Sequence, residues 1–324
     1  MKTSHLLYAL LLVGLFGCGG LVQEVSVDNI PSAKLQMVVQ SFISPQDTVI
    51  AVYVDYPTSI LGLYGNGSAD RYPYRRPIQE ATVDLSDGTK TVRLTRRNLP
   101  IPPNNYSSEL FYGVDAREFP IIAGRTYTLT ASAPGFPSVS ARCTVPAPVQ
   151  PDDIRLDSTV YILGNGRQVD YLAQLRWRDP VGTPAYYHVT GRLNADITQP
   201  NFQTDRDTTY QTSQTLSLNS EERYQTDQNR DGQSMVSGNL KGTAYYWPKD
   251  APESRSTTRF ANVSLTLTLQ RYDENLYRFR DAILRQNRQG DNPFAEPVLI
   301  TSNIQNGLGC FGAYNGASLT LKIN

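Results

Sequence analysis

The amino-acid sequence predicts a mainly β protein in two parts: an N-terminal antiparallel sandwich and a second β-rich domain that carries one C-terminal helix. Tyr outnumbers Phe by 20 to 10, and Thr, Ser and Val are plentiful, a composition that favours strands. Short segments of alternating polarity recur between turn residues, which is typical of antiparallel sheets. The 324 residues also exceed what one hydrophobic core usually serves, so two domains are expected.

Residues 1–17 resemble an export signal, with a charge at Lys2 and then an apolar run. That run of about a dozen residues is shorter than the roughly twenty that a membrane-spanning helix needs, so we expect it to be cleaved. Residues 15–18, Leu-Phe-Gly-Cys, resemble the bacterial lipobox. We therefore predict that Cys18 is lipidated, that several acyl chains give stable attachment, and that residues 18–34 form a tether. A plain cleaved signal and a buried structural cysteine are the alternatives.

Residues 35–147 are predicted to form the sandwich. Strand-like segments lie at 35–42, 49–55, 81–85, 90–94, 125–131 and 139–145, with no helical period between them. Asp87-Gly88 predicts a hairpin turn, because such a turn needs positive φ and these residues tolerate it. Tyr127 is expected to bond its hydroxyl to a nearby backbone group. The proline-rich residues 146–151 form a stiff, extended linker, and we place the domain boundary there.

The second domain, residues 148–324, is predicted to contain further strands. Strand-like stretches lie at 154–162, 171–177, 186–193, 298–301 and 318–323. Residues 194–233 are polar with little apolar period, so we predict a long, partly ordered loop there. Residues 260–269 alternate strictly between apolar and polar side chains, which predicts a half-buried strand.

Residues 273–289 are predicted to form the C-terminal helix. Apolar residues recur there at helical spacing, Asp273 can cap the N-terminus, and Gly290 supplies a stop. The glycine-dense residues 303–316 follow. We predict that they pack against this helix, with Phe311 buried and at least one glycine at positive φ.

Residues 307–312 have the spacing of a dinucleotide-binding glycine loop but lack its context. Such a loop opens a helix within a βαβ unit, whereas here only a dozen residues remain and they end in a strand pattern. A glycine-dense turn is therefore favoured over nucleotide binding. Cys143 and Cys310 are the cysteines after Cys18, and whether they form a disulfide stays open.

The charge balance and the histidine content exclude several classes of function. Lys and Arg total 30 and Asp and Glu total 30, and this neutral balance argues against a nucleic-acid partner. The leader aside, His188 is the one histidine, which excludes a multi-histidine metal site and favours a structural role for that residue. No catalytic motif is present, so we expect neither enzymatic activity nor a cofactor. The alternative is a hydrolase of envelope or nutrient polymers that uses paired carboxylates.

A polar segment, residues 227–232, resembles the first half of a calcium loop. Asp227, Asn229 and Asp231 offer oxygen ligands at alternate positions, and a glycine follows. The second half is missing, because Gly238 stands where a bidentate glutamate belongs. A polar turn is therefore favoured, with calcium as the alternative.

Two clusters of aromatic residues are the candidates for contact with a partner or with a glycan or peptide ligand. Tyr and Arg are favoured at recognition sites. The first cluster comprises Tyr64, Tyr72, Tyr74, Arg75 and Arg76, and the second comprises Tyr245, Tyr246 and Trp247. The alternative is that half of these rings pack on their own domain.

Three C-terminal stretches resemble the end of the DUF4249 family, namely residues 274–281, 292–297 and 302–312. The second contains Phe-Ala-Glu-Pro, and the third contains Ser-Asn-Ile followed by Gly-Leu-Gly and Phe-Gly. Residues 77–85 and 124–129 resemble the N-terminal sandwich of that family. The resemblance covers nearly all of the chain after the leader.

The resemblance implies an outer-membrane lipoprotein of Bacteroidetes, of a kind often suspected to work beside TonB-dependent receptors. It also implies an N-terminal part similar to regulatory Ig-like sandwiches, and it favours a structural turn at residues 227–232. The function of the family is undefined. We therefore expect a lipid-anchored, non-enzymatic binding or accessory component of the outer membrane, whose partner is a transporter protein. Whether it faces the periplasm or the cell exterior stays open.

Overall fold

A computed structural model describes residues 36–57, 76–100, 108–164, 166–201, 206–218, 222–246, 259–289, 296 and 298–323. Over these ranges the protein is mainly β, with eighteen strands and one helix. The first eight strands are β1 (Val38–Ile43), β2 (Val49–Tyr56), β3 (Arg76–Pro77), β4 (Thr82–Ser86), β5 (Thr91–Pro100), β6 (Ser108–Asp115), β7 (Thr126–Ser132) and β8 (Val139–Thr144).

The remaining strands and the helix follow the proline-rich segment. They are β9 (Pro151–Leu163), β10 (Gly166–Arg178), β11 (Tyr186–Asn201), β12 (Arg206–Thr215), β13 (Ser217–Leu218), β14 (Tyr224–Thr226), β15 (Ser234–Val236), β16 (Leu240–Tyr246), β17 (Arg259–Tyr272), α1 (Glu274–Gln289) and β18 (Leu308–Lys322). Among the described residues, no helix is both long enough and apolar enough to cross a membrane.

The strands form two sheets. The larger has 13 strands in the order β12-β11-β17-β18-β1-β2-β6-β5-β4-β7-β8, with β14 beside β11 and β3 beside β2. The smaller has five, in the order β13-β16-β10-β15, with β9 beside β10. The long strand β18 links the parts of the larger sheet, because its first half pairs in parallel with β1 and its second half pairs antiparallel with β17.

Apolar side chains are buried in two clusters. The first takes its side chains mainly from β1 to β8 and includes Tyr127 and Phe311, both fully buried. The second lies between β10, β11, β16 and β17 and includes Trp177 and Tyr187. Strand β10 shows the period that builds this core, since its buried and less buried residues alternate. The domain boundary at residues 146–151 stays a prediction.

Most strands predicted from alternation are present. The half-buried strand is confirmed as β17, in which Val263, Leu265, Leu267 and Leu269 are buried. The hairpin at Gly88 is confirmed by its φ of 87° and by the pairing of β4 with β5. Tyr127 bonds its hydroxyl to the backbone as predicted, accepting from the Ile122 N–H at 2.8 Å.

The predicted loop over residues 194–233 is wrong. Strand β11 continues to Asn201, and β12, β13 and β14 follow within the same range. Nearly every residue of β12 is exposed, so the strand has no buried face and carries no apolar period. Its pairing with β11 and cross-strand hydroxyl contacts such as Thr198 with Thr209, at 2.8 Å, hold it instead.

The predicted strand at residues 298–301 is also wrong, because this segment pairs with no described strand. Leu299 is 82% exposed, and the Val298 N–H bonds to the side chain of Gln286 at 3.2 Å. The apolar side chains of this segment therefore lie mostly on the surface and do not mark a buried strand.

The helix prediction is confirmed. The Asp273 carboxylate caps α1 by accepting from the Leu276 N–H at 2.9 Å, and Leu276, Phe279 and Ala282 form its buried face. Gly290, the predicted stop, lies outside the described residues. Glu274 and Arg278 form an ion pair one turn apart on the exposed face, at 2.5 Å.

The predicted packing of residues 303–316 against the helix is confirmed, but most of the segment is strand β18 and not a turn. Phe311 is fully buried, and Gly309 has a φ of 111°. A Cβ on Gly312 would lie 2.7 Å from the Cβ of Leu276 in α1, so this glycine allows close contact between helix and strand. Cys143 and Cys310 are both buried and free.

Candidate functional site

A cleft of about 600 Å³ lies where the β10–β11 connection, the segment after β14 and the start of α1 meet. The β10–β11 connection contributes Gly182, Thr183 and Pro184, β11 contributes Tyr186, the segment from β14 contributes Thr226, Asp227, Gln228, Asn229 and Asp231, and α1 contributes Tyr277 and Arg278. The volume falls within the range of about 300–1,000 Å³ that is usual for small-ligand sites.

Backbone hydrogen bonds hold the acidic segment against the end of the sheet. Strand β14 pairs with the start of β11, and the Asp227 N–H extends this contact by donating to the Ala185 carbonyl at 3.2 Å. The chain then turns, since Arg230 N–H donates to the Asp227 carbonyl at 2.6 Å. Asn229 and Gly232 adopt positive φ values of 63° and 72°, conformations that Asn and Gly tolerate best.

Three carboxylates come together beside this cleft, and we call Asp179, Asp227 and Asp231 the aspartate cluster; Asp227 and Asp231 line the cleft. One carboxylate oxygen from each lies within 4.8 Å of the others. Asp179 and Asp227 are buried, whereas Asp231 is exposed. Asp179 comes from the end of β10, and its backbone N–H donates to the Gln233 carbonyl at 3.0 Å. The cluster therefore joins two segments about 50 residues apart in sequence.

Neighbouring donors fix two of the three carboxylates. Asp179 accepts from the Tyr187 hydroxyl at 2.6 Å and from the Gly232 N–H at 3.0 Å. Burial raises the pKa of Tyr187, as does its hydrogen bond to Asp179, so this hydroxyl stays protonated and donates. Asp231 accepts from the Gly182 N–H at 2.8 Å. Each of these oxygens retains lone pairs for a further contact.

Aromatic rings form the wall of the cleft beside the aspartates. Tyr186 and Tyr277 stack with ring centroids 4.5 Å apart and an interplanar angle of 21°, and Tyr224 meets Tyr277 edge-on at 6.5 Å. Burial raises the pKa values of Tyr186 and Tyr277, so both rings are neutral at physiological pH. The cleft thus combines a flat aromatic surface with carboxylate oxygens.

The family assignment comes from a comparison with protein-family models. Residues 22–320 match the model described as "Domain of unknown function (DUF4249)". The chain belongs to the DUF4249 family. A search of curated proteins finds no match for it.

His188 is the one histidine among the described residues of this DUF4249 protein, and it lies among tyrosines. His188 Nδ1 is 2.8 Å from the Tyr272 hydroxyl and 3.1 Å from Gln270 Oε1, and its ring meets Tyr224 at 5.0 Å. Burial lowers the pKa of His188 to about 4. The imidazole is therefore neutral at pH 7 and serves as a packed ring with polar partners.

Much of the first predicted aromatic cluster of this DUF4249 protein lies outside the described residues, namely Tyr64, Tyr72, Tyr74 and Arg75. Arg76 is described and lies exposed on β3. The structure therefore does not place the predicted group as a whole, and its role in binding stays a prediction.

The second predicted aromatic cluster lies at the end of β10 remote from the cleft. Tyr246 pairs with Arg167, eleven residues before the end of β10, a separation of about 35 Å along a strand. Its hydroxyl bonds that of Tyr171 at 2.6 Å, and Arg167 lies over its ring at 4.9 Å. Tyr245 contacts Phe260 at 6.1 Å, and Trp247 lies outside the described residues. Both described rings thus contact side chains within the predicted second domain.

The predicted metal residues do come together in this family member. Asp227, Asn229 and Asp231 all line the cleft. Asp179 was missed as a member of the group, and so were Tyr186 and Tyr277 as its aromatic wall. A signal was present for Asp179, because an Asp-Pro pair directly after a buried strand marks a polar turn. Nothing local in the sequence connects that turn with residues 227–232.

Proposed function

We propose that this protein is a lipid-anchored, non-enzymatic binding or accessory component of the outer membrane, working beside a TonB-dependent transporter. The observation that carries the proposal for this chain is the cleft beside the stacked Tyr186 and Tyr277. Its volume of about 600 Å³ suits a small ligand or a segment of a partner. The membrane location rests on the predicted lipidation of Cys18 and on membership of the DUF4249 family.

The chemistry of the cleft favours an occupant that offers both an apolar face and hydrogen-bond donors. Stacked tyrosines provide a rigid, amphipathic contact surface at low cost in conformational entropy. Arg278 also lines the cleft, but its guanidinium is paired with Glu274. Carboxylate oxygens accept hydrogen bonds from hydroxyl or amide groups. A glycan or a peptide segment has both features, and these remain the two ligand classes that we propose.

The N-terminal part is proposed to be an Ig-like sandwich that serves as a rigid spacer or docking module. Its support is the antiparallel pairing of β4 with β5 and β7, and of β7 with β8, around a core that includes Tyr127. Short antiparallel strands around one core are typical of such sandwiches.

Hydrolysis with paired carboxylates has weaker support. Retaining glycosidases place two carboxyl groups about 5–5.5 Å apart on either side of the bond that they cleave. The aspartate cluster is close-spaced, but Asp179 is 2% and Asp227 8% exposed. Asp227 lines the cleft but Asp179 does not, so a sugar in the cleft has little access to the two as a flanking pair.

Co-purification from native membranes tests the proposal. Tagged full-length protein is extracted in mild detergent and washed at physiological salt, and Tyr277→Ala is compared with Tyr161→Ala. Tyr161 is 48% exposed on β9 and does not line the cleft, so it serves as the control. We expect wild type and the control to retain a transporter or ligand that Tyr277→Ala loses. Wild-type protein that comes out alone and binds no glycan or peptide in a broad screen contradicts the proposal.

A further inference from the structure

We infer that the aspartate cluster, together with Asn229, binds a calcium ion. The site would bind the ion whether or not the neighbouring cleft also takes a ligand, so it goes beyond the proposed function. Its distinguishing feature is that the loop at residues 227–233 supplies only part of the ligand set, and that Asp179 from the end of β10 supplies the rest.

The spacing of the carboxylates suits one cation. Calcium lies about 2.3–2.6 Å from its oxygen ligands, so two oxygens on the same ion are at most about 5 Å apart. One oxygen each from Asp179, Asp227 and Asp231 lies within 4.8 Å of the others. A single ion can therefore contact all three without rearrangement of the backbone.

Asp179 substitutes for the ligand that the local sequence lacks. In a contiguous calcium loop, oxygens come from positions 1, 3 and 5, a glycine at position 6 makes the turn, and a glutamate at position 12 closes the shell. Here Asp227, Asn229 and Asp231 occupy positions 1, 3 and 5, and Gly232, with a φ of 72°, occupies position 6. Gly238, however, occupies position 12. Asp179 brings a carboxylate to the same place, anchored by the Gly232 N–H at 3.0 Å.

The Asp227 carboxylate provides an independent indication of a bound cation. Asp227 is only 8% exposed and faces the cleft, yet among the described residues no hydrogen bond or ion pair to its side chain is present. Burial of most of this residue weakens the hydration of its charge, and two further carboxylates within 4.8 Å add like-charge repulsion. A divalent cation at this point offsets both costs.

Nearby cationic side chains do not fill this role. Arg278 pairs with Glu274 at 2.5 Å. Arg230, within the loop itself, donates to the Thr226 carbonyl at 3.1 Å, and Arg178 donates to the Gly232 carbonyl at 3.3 Å. Each of these guanidinium groups is thus directed to another acceptor.

The donor set selects calcium among common cations. All the side-chain donors are oxygens, which suits a hard cation, whereas zinc prefers sites with histidine or cysteine. Magnesium requires compact octahedral geometry and retains several waters, whereas calcium accepts six to eight oxygens in flexible arrangements. Three carboxylates from two separate segments form an irregular shell, Asn229 lines the same cleft as a further oxygen donor, and the open cleft leaves room for water.

Asp227→Asn is the decisive variant, with Asp157→Asn as its matched control. Asp227 accepts no hydrogen bond among the described residues, so the substitution removes charge without breaking a structural contact. Asp157 is exposed on β9, and its substitution removes the same charge elsewhere. Chelator-treated full-length protein is titrated with Tb³⁺, whose luminescence is sensitised by the nearby tyrosines, and Ca²⁺ is then used to displace it. Melting temperatures are compared in Ca²⁺ and in Mg²⁺.

We expect a saturable Tb³⁺ signal that Ca²⁺ displaces in wild type and in Asp157→Asn, and at least tenfold weaker binding in Asp227→Asn. Ca²⁺ should raise the melting temperature of wild type more than Mg²⁺ does at the same concentration. The inference is overturned if wild type gives no Tb³⁺ signal that Ca²⁺ displaces, or if Asp227→Asn binds as tightly as wild type. It is also overturned if Ca²⁺ and Mg²⁺ shift the melting temperature equally. Tyr277→Ala should still bind Ca²⁺. Failure of the proposed ligand binding can therefore be distinguished from failure of calcium binding.

Discussion

Replacement of Gly309 by alanine should destabilise the protein strongly. Gly309 lies opposite Val39 in the parallel pairing of β18 with β1 and has a φ of 111°, a conformation that L side chains rarely adopt. A Cβ at this position would also overlap the backbone carbonyl of Val39 in β1. Backbone strain of this kind costs about 1–3 kcal/mol, and forcing extra volume into a packed interior costs about another 1–3 kcal/mol. We therefore expect Gly309→Ala to lower the free energy of unfolding by about 2–6 kcal/mol.

Two other glycines of β18 provide a graded comparison. A Cβ on Gly312 would lie 2.7 Å from the Leu276 Cβ, whereas a Cβ on Gly316 would meet its nearest atom at 3.4 Å. Neither has positive φ. Gly312→Ala should therefore fall between wild type and Gly309→Ala, and Gly316→Ala should stay within about 1 kcal/mol of wild type.

Urea unfolding measures this series directly. A lower midpoint with an unchanged slope reports a change in stability alone, and total stabilities of about 5–15 kcal/mol leave the expected losses measurable. A Gly309→Ala protein that unfolds at the wild-type midpoint would refute the reasoning. Loss of ligand binding in a variant that unfolds normally would instead make this segment part of a binding site.

Three further predictions concern the anchor, the histidine and a buried hydroxyl. Cys18→Ser should leave protein that is released in soluble form or retained as precursor, and membrane retention that resists salt washing would contradict lipidation. His188 has a pKa of about 4, below the roughly 6.5 of an unfolded histidine, so the unfolded chain binds more protons between these values. The stability of wild type relative to His188→Gln should therefore be greatest above pH about 6.5 and fall as the pH drops towards about 4, and a constant difference in urea unfolding across this range would contradict it. Tyr127→Phe leaves the Ile122 N–H without its partner at 2.8 Å and should cost about 1–3 kcal/mol, measured in the same assay.

The sequence predicted those elements whose side chains alternate between the core and the surface. Strand β17 alternates because one of its faces packs in the second core, and α1 has its apolar residues on one buried face. Strand β12 could not be predicted in this way. Its residues are exposed on both faces, so its existence depends on pairing with β11, and that pairing leaves no apolar period in the sequence.

The candidate site was predictable only in part, for a similar reason. The alternation of Asp227, Asn229 and Asp231 before a glycine is a local pattern, and these residues do line one cleft. The contribution of Asp179 depends on the end of β10 lying beside the Gly232 turn, a contact between segments distant in sequence. The position of Tyr277 depends likewise on how α1 packs against the start of β11.

The aspartate cluster is tied to the second core through Asp179. This carboxylate accepts from the hydroxyl of Tyr187, a ring that is 1% exposed and packs 5.2 Å from the fully buried Trp177. Substitution of Asp179 therefore removes a ligand and also leaves a buried hydroxyl without its acceptor, at a cost of about 1–3 kcal/mol. Asp227 has no such connection, since its side chain lacks a hydrogen-bond partner among the described residues. If Asp227→Asn loses calcium affinity while its stability in chelator is unchanged, the loss thus reports on ion binding alone. The same loss in Asp179→Asn would combine the loss of a calcium ligand with the loss of a hydrogen bond to the core.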